Sequence, residues 1–166
     1  QDILEPESGL AAFRPEVVLM MVRLDEIVPD FVEQYPSRTV DEWRRVLAVK
    51  ARELAELSAR AGKDLSARVV IQNGSLAEPH FGIFDAQQRD GQQSLVSQFN
   101  DALSSAVAAS HGVFIWDFDR LVRRKGYQQL LDPKAWYVSK NPFKQTAYPA
   151  IVEDLLHYVQ STAGRV

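Results

Sequence analysis

The order of elements along the chain predicts an α/β protein, a three-layer α-β-α sandwich around a parallel sheet. Three short β-branched runs, Val17–Val22, Val69–Asn73 and Val113–Asp117, are almost wholly apolar rather than alternating, as strands buried on both faces are. Long amphipathic helical patterns separate the runs, and a third pattern follows the last one. Strand–helix–strand connections of this kind close as right-handed parallel crossovers. A chain of 166 residues with no repeat and no low-complexity linker is expected to form one domain, 1–166. Three strands make a small sheet for this architecture, so the first strand or strands are expected to lie upstream of Gln1 in a longer protein. Gln1 to Ser8, polar and acidic, begin no element of their own.

The first run, Val17 to Val22, is closed by Arg23. The first helical pattern has Thr39 and Glu42 at capping-box spacing. It then turns Trp43, Val46, Leu47, Ala51, Leu54 and Leu57 to one face, with Gly62 as the expected stop. After the second run, the stretch Gly74 to Arg89 reads as a long irregular loop, a length that in compact domains usually serves function. The second helix opens near Asp90, with Gln93 three residues on, and turns Leu95, Val96, Phe99, Leu103, Ala106 and Val107 inward before Gly112. The third spans about Thr146 to Thr162, with Pro149 in its first turn, where a missing N–H costs little. Its expected inward set is Ile151, Val152, Leu155, Leu156 and Val159.

Composition removes several function classes. A net charge of −3, with no basic run longer than Arg123–Arg124–Lys125, gives no footprint for nucleic acid. With no cysteine there is neither a thiol nucleophile nor a Cys-ligated zinc site. The longest apolar run is far short of the roughly 20 residues that span a bilayer. These features fit a cytoplasmic protein.

Ligands of open parallel sheets bind beyond the carboxyl ends of the strands. That edge collects Arg23, Asp25 and Glu26, then Gln72 and Asn73, then Asp117 and Asp119; the segment Asp132 to Lys140 returns over it. Asp117-Phe118-Asp119 has the form of the Asp-x-Asp of haloacid-dehalogenase-type phosphatases, a nucleophile and a general acid with magnesium between them. However, Leu121 stands where Thr or Val is expected, and too few residues follow for the rest of such a core. Aspartates that cap the next helix account for the pair more simply. A Ser-His-Asp triad would have to use His80, His111 or His157, and no Gly-x-Ser-x-Gly elbow accompanies them. Asp25, Glu26, Asp117 and Asp119 could converge on a metal, though carboxylates at solvated strand ends are common. Trp136 and Tyr137 read as packing, or as a lid or partner patch.

Several segments together resemble FkbH-like proteins. They are Leu4-Glu5-Pro6-Glu7-Ser8-Gly9-Leu10 with Phe13-Arg14-Pro15-Glu16-Val17-Val18-Leu19, then Gln72-Asn73 with Gly82-Ile83-Phe84-Asp85-Ala86-Gln87. Trp116 to Leu121, Asp132-Pro133-Lys134-Ala135-Trp136-Tyr137 and Lys140-Asn141-Pro142-Phe143 follow in the same order. The resemblance implies a fold similar to SGNH (GDSL-type) hydrolases and to flavodoxin, set before a haloacid-dehalogenase-type domain. That domain, with Mg2+, would load a glyceryl unit from a phosphorylated three-carbon donor onto an acyl carrier protein. On the hydrolase pattern, the nucleophile block would lie upstream. The oxyanion block would fall on Arg23-Leu24-Asp25-Glu26, where Asp25 replaces a donating Asn. The acid–base block would fall on Ser139 to Pro142, which holds no imidazole.

The reading is therefore a non-catalytic N-terminal domain of a glyceryl transferase/phosphatase, with no cofactor of its own. Its partners would be the carrier protein and the adjacent catalytic domain, not nucleic acid or membrane. Asp25, Asn73, Asp117 and Asp132 are the residues to inspect for catalysis, and Arg23, Gln72, Asn73, Trp136, Lys140 and Lys144 for binding. No metal ligand set is assigned. A stand-alone esterase or acyltransferase with an atypical site, or a pure protein-interaction module, are the alternatives.

Overall fold

The computed structural model describes residues 9–76, 85, 87, 90–139 and 141–162. In chain order these form α1 (Gly9–Phe13), β1 (Val17–Met20), α2 (Leu24–Ile27), α3 (Pro29–Glu33) and α4 (Val40–Leu65), then β2 (Arg68–Gln72) and α5 (Gln92–Ala108). There follow β3 (Val113–Trp116), α6 (Phe118–Lys125), α7 (Tyr127–Leu130), α8 (Pro133–Ser139) and α9 (Tyr148–Thr162). The three strands are parallel in the order β1-β2-β3, with Val18 opposite Val69 and Val69 opposite Val113.

Helices cover both faces, giving the expected α-β-α sandwich. On one face Val18, Met20, Val69, Ile71 and Val113 pack with Trp43, Leu47 and Ala51 of α4 and Leu95, Phe99 and Leu103 of α5. On the other, Val70 and Trp116 pack with Phe118, Leu121, Ile151 and Leu155 from α6 and α9. Alternate residues of one strand thus feed two separate cores.

The strands are not all buried on both faces. β2 is buried from Val69 to Gln72, but Leu19 in β1 and Phe114 in β3 are exposed, because each of these strands is an edge of a three-stranded sheet. α4 begins as expected: Thr39 Oγ1 accepts from Glu42 N at 3.3 Å, while Glu42 Oε2 accepts from Thr39 N at 2.8 Å. It does not stop at Gly62. It runs three residues further, to a left-handed Ser66 at φ 51°. Gly62 is required for close approach instead, since a Cβ there would lie 3.1 Å from Ala67 O and 3.3 Å from Val69 Cγ2. α5 starts later than Asp90, with Gly91 as its N-cap. α9 also starts late, behind a 3-10 turn at Gln145–Ala147, and Val152 and Leu156 of its expected inward set are exposed. Most of the irregular stretch 74–89, including His80, lies outside the described residues.

Candidate functional site

The strands end at one edge, and the side-chain alternation of β2 divides the chemistry there. Gln72 and Asn73 are neighbours in sequence, so they face opposite sides of the sheet. Gln72 lines one cleft and Asn73 another, each of about 490 Å³. Asp25 and Glu26 line the first, Asp117 and Asp119 the second. The four carboxylates that could have converged on a metal are therefore split between two clefts. Among the described residues no group of three or more His, Asp or Glu is placed to hold a metal ion.

The first cleft is mostly apolar. Leu19 and Met21 line it from the sheet edge, with Ile151, Val152 and Leu155 of α9 and with Phe143. At its rim Arg23 Nε donates to Asp25 Oδ1 at 2.9 Å, and Arg23 Nη2 makes a second bond to Asp25 Oδ2. Trp136, carried over by α8, stacks on the guanidinium, with 5.0 Å from Arg23 Cζ to the ring centroid. The hydrogen bonds to Asp25 raise the Arg23 pKa, against the opposing effect of burial. Gln72 reaches only a long 3.4 Å contact with Val22 O. This cleft brings together Arg23, Asp25, Gln72 and Trp136.

The second cleft is polar, and its residues are bonded to one another. Asn73 Nδ2 donates to Asp117 Oδ1 at 2.8 Å, and Asn73 Oδ1 accepts from Asp119 N at 2.9 Å. Asp117 is also the N-cap of α6, accepting from Arg120 N at 3.1 Å. Asp119 is buried and pairs with Arg123 at 2.6 Å. Burial pushes its carboxyl pKa up, and the Arg123 bond pulls it part of the way back. The Asp-x-Asp sequence is here a helix cap and an i,i+4 ion pair.

Asp132, the fourth residue inspected for catalysis, caps α8 by accepting from Lys134 N at 2.9 Å and Ala135 N at 3.3 Å. Lys144 is half-buried, and its backbone N–H bonds to Leu130 O at 2.9 Å. Lys140 lies outside the described residues. In the segment matching the hydrolase acid–base block, Ser139 Oγ bonds back to Ala135 O, and Asn141 contacts the Tyr148 hydroxyl. His111 and His157 are exposed.

Two functional-looking residues are not legible from the strand ends. Asp154 is buried on α9, accepts from Trp116 Nε1 at 3.0 Å, and pairs with Arg120 and Arg124 at 3.2 and 3.0 Å. A carboxylate beside Leu155 in the inward stripe of a helix was the signal for it. Asn100 clasps the end of β2, donating to Gly74 O at 2.9 Å and accepting from Gly74 N at 2.8 Å. No pattern in the sequence marks that pairing.

No family model matches the chain, and no curated protein matches it. Among solved structures it is similar to the N-terminal part of the protein BF1531 from Bacteroides fragilis, a structure containing a phosphatase domain and complexed with Mg. The two superpose with a TM-score of 0.70 at 15% sequence identity, over 98% of this chain and 42% of that one. The likeness establishes a related fold, and this chain spans less than half the length of that one.

Proposed function

We propose that this chain is the N-terminal domain of an FkbH-like glyceryl transferase/phosphatase, and that it holds partners for a neighbouring catalytic domain rather than carrying chemistry itself. The observation that carries the reading is the likeness, along almost the whole chain, to the N-terminal part of a protein that contains a phosphatase domain. The strand-end residues support it. Asn73, Asp117 and Asp132 spend their hydrogen bonds on the chain's own backbone and on each other, and Asp25 is held by Arg23. Mg2+ and the transfer of a glyceryl unit would belong to the catalytic domain.

Carrier proteins are acidic, so cations on the returning segment are the docking charges in this reading. Arg23 is already neutralised by Asp25, which leaves Lys144, with Lys140, as the stronger pair. The test uses the protein in its native reading frame with purified acyl carrier protein. Mg2+-dependent loading of a glyceryl unit, read by the mass of the carrier, is the expected result, with affinity reduced several-fold by Lys144→Glu. Hydrolysis of a chromogenic acyl ester by residues 1–166 alone would instead assign a stand-alone esterase. Affinity unchanged by Lys144→Glu would remove the docking assignment.

A further inference from the structure

Gln72, the last residue of β2, is only 6% exposed, yet its amide is almost without partners. Its Nε2 reaches Val22 O at 3.4 Å, beyond the usual range of a hydrogen bond, and among the described residues its Oε1 accepts none. A buried amide left in this state costs stability, and an unbranched apolar side chain would fill the same space without that cost. The position is therefore better explained by something outside the chain that Gln72 meets. Its side chain lines the first cleft beside Ser75, which is half-buried and whose hydroxyl has no partner among the described residues. Around these two groups the cleft is apolar, with Leu19, Phe118, Phe143, Ile151 and Leu155 in its lining. A volume of about 490 Å³ suits a small molecule.

Charge narrows the class of ligand. The charged groups among the described lining residues are Arg23, Asp25 and Glu26, one cation against two carboxylates. Arg23 commits its Nε and Nη2 to Asp25 and one face of its guanidinium to Trp136. A carboxylate or phosphate in this cleft would give up its hydration with no uncommitted cation, among the described residues, to replace it. A neutral carboxamide gives up far less, and Gln72 is its complement: the ligand N–H meets Oε1, and the ligand C=O meets Nε2. We propose that the first cleft binds an uncharged, largely apolar small molecule through a carboxamide-type donor–acceptor edge, and that Gln72 sets the specificity. The inference goes beyond the carrier-docking reading and does not need it, since Lys144 is not among the residues that line the cleft.

The test is calorimetric titration of the full-length protein with octanamide, methyl octanoate and octanoate, which share a chain and differ at the head. Octanamide should bind saturably and about fivefold or more tighter than the ester, which lacks the donor, with the anion weakest. Gln72→Met, of similar length and unbranched, should weaken octanamide by about fivefold or more and leave the ester unchanged or tighter. The same substitution should not lower the unfolding midpoint of the free protein, because it removes a buried amide with little to lose. Lys144→Glu should leave octanamide binding unchanged, so failure of carrier docking and failure of this inference are separate results. Octanoate binding more tightly than octanamide overturns the proposal, as does no saturable binding of any of the three. Equal octanamide affinity in wild type and Gln72→Met overturns it too, and a Gln72→Met protein that unfolds well before wild type assigns the amide to the fold instead.

Discussion

The indole N–H of Trp116, at the end of β3, donates to the buried carboxylate of Asp154 on α9 over 3.0 Å. This bond ties the sheet to the helix layer on its sparsely covered face. Arg120 and Arg124, both half-exposed, complete the acceptor's bonding from α6. Asp154→Ala would leave the Trp116 donor buried without a partner, at a cost of about 1–3 kcal/mol, while the arginines return to water. Asp154→Asn retains an oxygen for the indole and should cost less. Urea unfolding of the two variants checks the order, and equal losses would show that the charge, not the indole bond, matters.

Asn73 joins the ends of β2 and β3 through Asp117 and the Asp119 amide. Asn73→Ala is expected to destabilise by about 1–3 kcal/mol, because the Asp119 N–H is buried and loses its acceptor. Asn73→Asp should cost at least as much, since it sets a second carboxylate against Asp117. Denaturant midpoints at low and high salt separate the two effects, and only the aspartate variant should recover with salt.

Gly74 is where the chain leaves β2 past α5, and a Cβ there would lie 3.0 Å from the Phe99 ring, which is buried. The ring cannot retreat from a packed core, so Gly74→Ala should destabilise by about 1–3 kcal/mol. That loss exceeds the gain from a stiffer unfolded chain. A stabilised variant in thermal unfolding would show that the core can yield.

Two carboxylates give acid pH-dependences of opposite sign. Asp119 has its pKa raised by burial, despite Arg123, so the folded state holds its proton more tightly than the unfolded state does. Its contribution is fully present below the ordinary Asp value of about 3.9, and is lost as pH rises through the raised folded value. Glu42 has its pKa lowered by the hydrogen bonds from Thr39, so its contribution is present above the ordinary Glu value of about 4.3 and lost as pH falls through the lowered folded value. Denaturant midpoints across this range should fall less with rising pH for Asp119→Asn, and fall less with dropping pH for Glu42→Gln. Identical profiles for wild type and either variant would overturn that assignment.

Thr39 and Glu42 were legible because a capping box is local: both partners lie within one turn and need no knowledge of the rest of the chain. The same holds for the three strands and the inward faces of α4 and α5. Gly62 was misread because its role is set by Ala67 and Val69 as the chain folds back, not by helix termination. Asp117 could be placed as a cap from its position ahead of a helix, whereas Asp132 was set among the residues for catalysis, because the short helix Pro133–Ser139 behind it has no clear periodic signal. By contrast, the separation of Gln72 from Asn73 into different clefts depends on which helices cover each face of the sheet.

By itself, then, the sequence determined the class of fold, the order of its elements and most of their core-facing residues, since hydrophobic periodicity and capping act over a few residues. The tertiary structure decided which faces are covered and which polar groups meet. It left Leu19, Met21 and Val152 exposed around one cleft, and it joined Trp116 to Asp154 across 38 positions of sequence. Those outcomes follow from layer geometry and strand order, which bring distant residues together and have no signature in local spacing.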